Sequence, residues 1–114
     1  MEKYMSEPSE RFEKSLTKDN LWLYIFILLM KRKELYPYEI KDAIKTEFGF
    51  EPGNMTAYVV LKKLKTGGYV KVLKKEQEKG RPEKTFYIIT EEGIKELNKA
   101  KALHERIGTF LFEQ

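Results

Sequence analysis

The stretch that decides the fold runs Asn54-Met55-Thr56-Ala57-Tyr58-Val59-Val60-Leu61-Lys62-Lys63-Leu64-Lys65-Thr66-Gly67, then Gly68-Tyr69-Val70-Lys71-Val72-Leu73-Lys74. Ala57, Val60, Leu61 and Leu64 fall at i, i+3, i+4 and i+7, the spacing of one helical face. That predicts a helix over 55–66, with Asn54 as its N-cap and Gly67-Gly68 as its stop. The residues after it change period. Residues 69–74 have strand composition with partial alternation, and so does Thr85-Phe86-Tyr87-Ile88-Ile89. The polar segment from Glu76 to Glu83, with Gly80-Arg81-Pro82 inside it, joins them as the tip of a hairpin.

Upstream, Pro37 suits a first helical turn, because its missing N–H would have no partner there. Ile40, Ala43, Ile44 and Phe48 then repeat at helical spacing, and Gly49 ends a helix over 37–48. Phe50-Glu51-Pro52-Gly53 is a short turn into the next helix, so the two form a helix-turn-helix pair. Before them, residues 21–30 are ten apolar residues closed by Lys31-Arg32-Lys33, which suit the negative end of a helix dipole. This helix is expected over 20–33, capped by Asp19 or Asn20. After the hairpin, Thr90 caps a long helix over 91–112, with Glu91 and Glu92 in its first turn.

Three helices, a hairpin and a further helix make a mainly α chain with a small two-stranded β wing, an α+β fold of the winged helix-turn-helix kind with an added C-terminal dimerisation helix. The expected organisation is an N-terminal arm (1–18), a winged-helix domain (19–90) and a C-terminal helix (91–114). In the arm, Ser6 is placed to cap a short helix with Pro8 in its first turn, and Phe12 and Leu16 are spaced to pack against the body, the alternative being a frayed arm.

Composition narrows the function. The 114 residues suit one domain. There is no Cys, which excludes disulfide scaffolds and thiolate chemistry, and His104 is the one His, too few for a His-based metal site or a Ser-His-Asp triad. No metal, cofactor or enzymatic activity is expected. Ten apolar residues are half of what a spanning helix needs, about 20, and no signal-peptide pattern precedes them, so the expectation is a cytoplasmic protein with no membrane partner.

Charge is uneven. Residues 54–90 hold nine Lys/Arg against three Asp/Glu, a net of +6, while 1–53 and 91–114 each carry −1. A basic segment on a balanced chain fits a polyanion, most simply double-stranded DNA. Short polar residues at the start of a recognition helix read base edges, which singles out Asn54 and Thr56. Tyr58 reaches a phosphate or stacks, and Lys62, Lys63 and Lys65 hold the backbone. On the wing, Lys74, Lys79, Arg81 and Lys84 face the duplex, with Arg81 suited to a narrow minor groove.

An ordered set of short motifs resembles the PadR-type transcriptional regulators. Leu35-Tyr36-Pro37-Tyr38-Glu39-Ile40 resembles the start of their second helix, and Thr56 to Leu64 their recognition helix. Gly68-Tyr69-Val70 resembles the entry to their wing. Gly80-Arg81-Pro82, with Phe86-Tyr87-Ile88-Ile89-Thr90-Glu91-Glu92-Gly93, resembles its tip, its second strand and the start of the last helix. Pro37 stands where the family usually has Gly, and Gly67 where it commonly has an acid. The expected function is a sequence-specific double-stranded DNA-binding transcriptional regulator, a repressor, and the resemblance implies a homodimer through the last helix. The apolar stripe Leu97, Ala100, His104, Ile107 and Leu111 is the expected interface, since a monomer would leave it uncovered. It further implies a small aromatic effector in some members, for which Trp22, Tyr24 and Phe26 are the candidate pocket. The alternatives are a protein–protein interaction module of a transcription or replication complex, or a nucleoid-type protein that binds DNA without sequence preference.

Overall fold

A computed structural model describes residues 7–113. Its elements are α1 (Pro8–Leu16), a single 3-10 turn (Lys18–Asn20), α2 (Leu21–Arg32), α3 (Pro37–Phe48), α4 (Thr56–Thr66), β1 (Val70–Glu76), β2 (Lys84–Ile89) and α5 (Glu91–Phe112). The order is the one the apolar periodicities predict. Mostly helical with one two-stranded antiparallel sheet, it is the winged-helix arrangement.

The core forms around α2. Leu21, Ile25, Phe26, Leu28 and Leu29 are buried there, and they meet Leu35, Ile40, Ala43, Ile44, Ala57, Leu61, Leu64 and Val70. The same helix touches α3, α4, α5 and β2, which is why ten consecutive apolar residues are accommodated on one 12-residue helix. None of the helices among the described residues is long and apolar enough to cross a membrane.

Two helix starts differ from the sequence reading. Asn20 sits at the N-cap of α2, but its side chain makes no capping bond. Its amide nitrogen instead donates to the Ser15 carbonyl at 2.5 Å, and its oxygen accepts from the Trp22 indole N–H at 3.2 Å. This ties the arm to α2, helped by the Tyr24 hydroxyl donating to the Leu16 carbonyl at 2.6 Å. The arm is thus a helix held by polar contacts. Phe12 and Leu16 remain exposed, so the expected apolar packing is not how it docks. Ser6 lies outside the described residues, and Glu7 takes the N-cap position, with Glu10 accepting from its N–H at 2.9 Å.

The second difference is at α4. Asn54 does not cap it: Met55 is at the N-cap in a helical conformation with no side-chain bond. The turn closes through backbone, Thr56 N–H donating to the Gly53 carbonyl at 3.2 Å. That leaves the Asn54 oxygen to accept from Lys41 of α3.

The wing is anchored at its base. β1 and β2 pair in register from Val70↔Ile89 to Val72↔Tyr87, then shift by a bulge at Leu73 before Lys74↔Phe86. Beyond the hairpin, Leu35 and Tyr87 exchange both backbone hydrogen bonds, at 3.1 and 2.7 Å, so the linker before α3 acts as a one-residue third strand. The wing is therefore fixed to the helix-turn-helix by backbone geometry rather than by side chains alone.

Candidate nucleic-acid interface

Burial on α4 follows its period. Ala57, Leu61 and Leu64 face the core, so at 100° per residue the opposite face carries Met55, Val59, Lys62 and Thr66. Lys63 and Thr56 flank that line on one side. Tyr58 and Lys65 flank it on the other. The helix contains no acidic residue, and Lys62, Lys63 and Lys65 are all exposed.

The wing comes up beside the Tyr58 flank. Tyr36, Pro37 and Tyr38 at the start of α3, Tyr58 of α4, and residues 81–85 and Tyr87 of the wing line one cleft of about 700 Å³. Tyr58 and Arg81, 23 residues apart, thus line the same cleft, as does Lys84, its ammonium 4.8 Å from the centre of the Tyr36 ring. Of the predicted site residues, the cleft brings together Tyr58 of α4 with Arg81 and Lys84 of the wing; Lys62, Lys63 and Lys65 of α4 do not line it.

The predicted wing cations are not equivalent. Arg81 and Lys79 are on the exposed tip. Arg81 lies 3.6 Å from Glu78, an exposed pair that solvent screens and a phosphate can displace. Lys74 is held differently. Its ammonium reaches Glu76 at 3.1 Å and Glu34 at 3.4 Å and lies over the Phe86 ring at 4.9 Å. The hydrogen bond to Glu76, with Glu34 adding to it, holds the Lys74 pKa above the ordinary lysine value. Lys74 is thus engaged by two carboxylates and a ring, and its contact with Glu34 ties the wing to the linker before α3.

Asn54 and Thr56 are exposed at the α4 entry, with Asn54 turned toward Lys41. The sequence reading does not single out Met55 and Val59, because it looks for polar and cationic residues as readers. The signal was present: neither belongs to the Ala57–Leu61–Leu64 face.

On α5, the expected interface residues separate into two groups. Leu97 packs against its own chain's core. Leu97, Ala100 and His104 line a groove of about 450 Å³ with Leu23 and Ile27 of α2. Ile107 and Leu111 are exposed, as are Leu103 and Phe112. No group of three or more His, Asp or Glu side chains able to hold a metal ion occurs among the described residues.

The candidate effector aromatics do not converge. Phe26 is fully buried, and Trp22 meets it edge-on with ring centres 5.4 Å apart. Tyr24 points to the other side of α2, where it packs edge-on against Phe48 at 5.0 Å and Phe50 at 4.9 Å. Burial raises the Tyr24 pKa above the ordinary phenol value. Two residues along a helix are separated by about 200°, which is why three alternate aromatics cannot line one pocket.

These features have close relatives. A family model described as the transcriptional regulator PadR-like family matches residues 26–99. A transcriptional regulator from Clostridium thermocellum is 26% identical, with a TM-score of 0.69 over 82% of this chain and 90% of that one. PadR from Bacillus subtilis, solved in complex with operator DNA, is 28% identical with a TM-score of 0.63. That match covers 73% of this chain and 47% of PadR. F93 from STIV, a winged-helix DNA-binding protein, is 17% identical with a TM-score of 0.58 over 84% of this chain and 95% of that one, a likeness of fold alone. No curated protein matches the chain. The matched segment runs from the core of α2 through the recognition helix and wing into α5, and on that extent the chain belongs to the transcriptional regulator PadR-like family.

Proposed function

We propose that this chain is a sequence-specific double-stranded DNA-binding regulator that works as a homodimer and represses by occluding a promoter. The observation that carries the reading is that Tyr58 and Arg81 line one cleft. An acid-free helix thus lies beside a wing tip that offers Arg81 and Lys84, with Glu83 between them in sequence. A duplex laid on that surface meets α4 in its major groove while the wing tip follows the adjacent backbone or minor groove. Lys62, Lys63 and Lys65 neutralise phosphates along the groove edges, and Arg81 and Lys79 extend the contact from the tip. The B. subtilis PadR complex with operator DNA supports the same use of the fold.

The homodimer rests on α5. Its second half carries Leu103, Ile107, Leu111 and Phe112 exposed, the kind of apolar surface that marks an interaction site. Pairing two copies through this stripe and the groove against Leu23 and Ile27 covers it. A two-fold pair then sets its recognition helices on half-sites about one helical turn, roughly 34 Å, apart. We place its action in the cytoplasm, where the DNA is.

The test is duplex binding against salt, combined with selection from random duplexes at moderate salt. The expected result is a steep linear fall of log affinity with log salt and a recovered two-fold-symmetric site. Lys62→Ala and Arg81→Ala should weaken all sequences alike and flatten the slope by about one each. Absence of duplex binding at low salt overturns the proposal in favour of a protein–protein module. Binding with no recovered sequence preference overturns it in favour of a nucleoid-type role.

A further inference from the structure

The face that α4 turns to solvent has an apolar centre. Met55 is 66% exposed and Val59 is 49% exposed, one helical turn apart. The stripe continues into the polar Lys62 and Thr66, whose hydroxyl donates to the Lys62 carbonyl at 3.0 Å. Neither Met55 nor Val59 serves the fold: both lie opposite Ala57, Leu61 and Leu64, and neither is among the side chains packed on the core. Leaving a β-branched residue bare in mid-helix has a cost in helix propensity and in hydration. A contact that covers it offsets both.

We propose that Met55 and Val59 read the 5-methyl groups of thymines in the major groove, and so set this regulator's preference for thymine at two nearby positions of each half-site. This rests on the duplex-DNA reading above and names its specificity. The occupant follows from what surrounds the patch. Lys62, Lys63 and Lys65 border it on both flanks with no acid on the helix, so the partner carries negative charge around an apolar point. The major-groove edge of a thymine between two backbones is such a surface, and the methyl is the one apolar group that any base presents there. An apolar protein surface would leave those lysines desolvated and unpaired. Spacing agrees as well. Four residues of helix advance about 6 Å, within reach of two base pairs stacked about 3.4 Å apart per step.

The polar residues are correspondingly displaced from the centre. Asn54 is turned toward Lys41 and Thr56 lies on the flank. They position the helix entry, and the discrimination falls to the apolar pair.

The experiment uses the full chain and the best duplex from the random selection. Each thymine is replaced singly by deoxyuridine, which removes the methyl and keeps the base pair. At two thymines per half-site, one or two base pairs apart, the wild type should weaken about three- to fivefold, as loss of one buried methyl implies. Val59→Ala should be insensitive to deoxyuridine at its own thymine while keeping its salt slope, since no charge is removed. Met55→Ala should do the same at the other. Unchanged thermal unfolding of both variants separates loss of reading from loss of fold. The inference is overturned if no thymine is sensitive, or if sensitivity persists undiminished in both variants. Failure to bind any duplex, or to prefer any sequence, would instead strike the DNA reading beneath it.

Discussion

The Thr90 hydroxyl donates to the Gly68 carbonyl at 2.7 Å and accepts from the Gly93 N–H at 3.2 Å, joining the end of α4 to the start of α5 across 22 residues. The Thr90 N–H adds a bond to the Tyr69 carbonyl at 3.0 Å. One side chain thus caps α5 and closes the exit of the recognition helix. Thr90→Val keeps the shape and removes both hydroxyl bonds, so it should destabilise by about 1–2 kcal/mol. Chemical denaturation measures this, and an unchanged midpoint would show that water replaces the bonds at no cost.

Gly93 explains why α5 can start so close to the wing. A Cβ there would lie 2.3 Å from the Tyr69 carbonyl oxygen and 2.6 Å from Ile89 Cγ1. The first contact is with backbone and cannot yield by a side-chain rotation. Gly93→Ala should therefore cost more than 2 kcal/mol despite the better helix propensity of Ala. Thermal unfolding is the readout; stabilisation would mean that α5 shifts freely at its start.

Lys33 ends α2 at φ 70°, ψ −37°, while its N–H donates to the Leu29 carbonyl at 2.9 Å. It is the one non-glycine residue with positive φ among the described residues. Such a conformation costs a residue with a Cβ about 1 kcal/mol or more. Lys33→Gly should raise the melting temperature by a few degrees, as relief of that strain on a domain of this size predicts.

Glu47 on α3 accepts from Lys31 at 2.9 Å and from Arg32 at 2.6 Å, bridging to the end of α2. These hydrogen bonds, Lys31 first and Arg32 second, hold its carboxyl below the usual range. A folded pKa below the unfolded one means stability that is fully present above the ordinary carboxylate value and is lost as pH falls through the folded value. Glu47→Gln should be less stable than the wild type near neutral pH, and the two denaturation midpoints should converge in acid. Parallel curves at every pH would contradict the linkage.

Ile107 and Leu111 stand one turn apart on the outer half of α5, each about half exposed. Ile107→Glu should convert the proposed dimer to monomer at micromolar concentration, read by light scattering, and should leave the wing domain folded by circular dichroism. Its affinity for a full two-fold site should drop steeply, because two half-sites no longer bind as a unit. A monomeric wild type would remove the basis of this prediction.

Local chemistry was enough for the elements. Pro37 starts α3, Gly49 ends it with φ 81°, Thr90 caps α5, and apolar spacing marks each buried face. These signals act between residues a few positions apart, so the sequence alone determined the order of helices and hairpin and the basic character of 54–90. The cap at α4 was misread for the same reason. Asn54 next to a helix start has the right local chemistry, but its partner Lys41 is 13 residues away on another helix. Likewise Lys74 looks like any wing lysine until folding brings Glu34 to it. Which cations stand free, which aromatics converge and which apolar residues face outward depend on pairings between segments far apart in the chain. Those were decided only by the tertiary structure, because burial and charge pairing belong to a place in space and not to a position in the sequence.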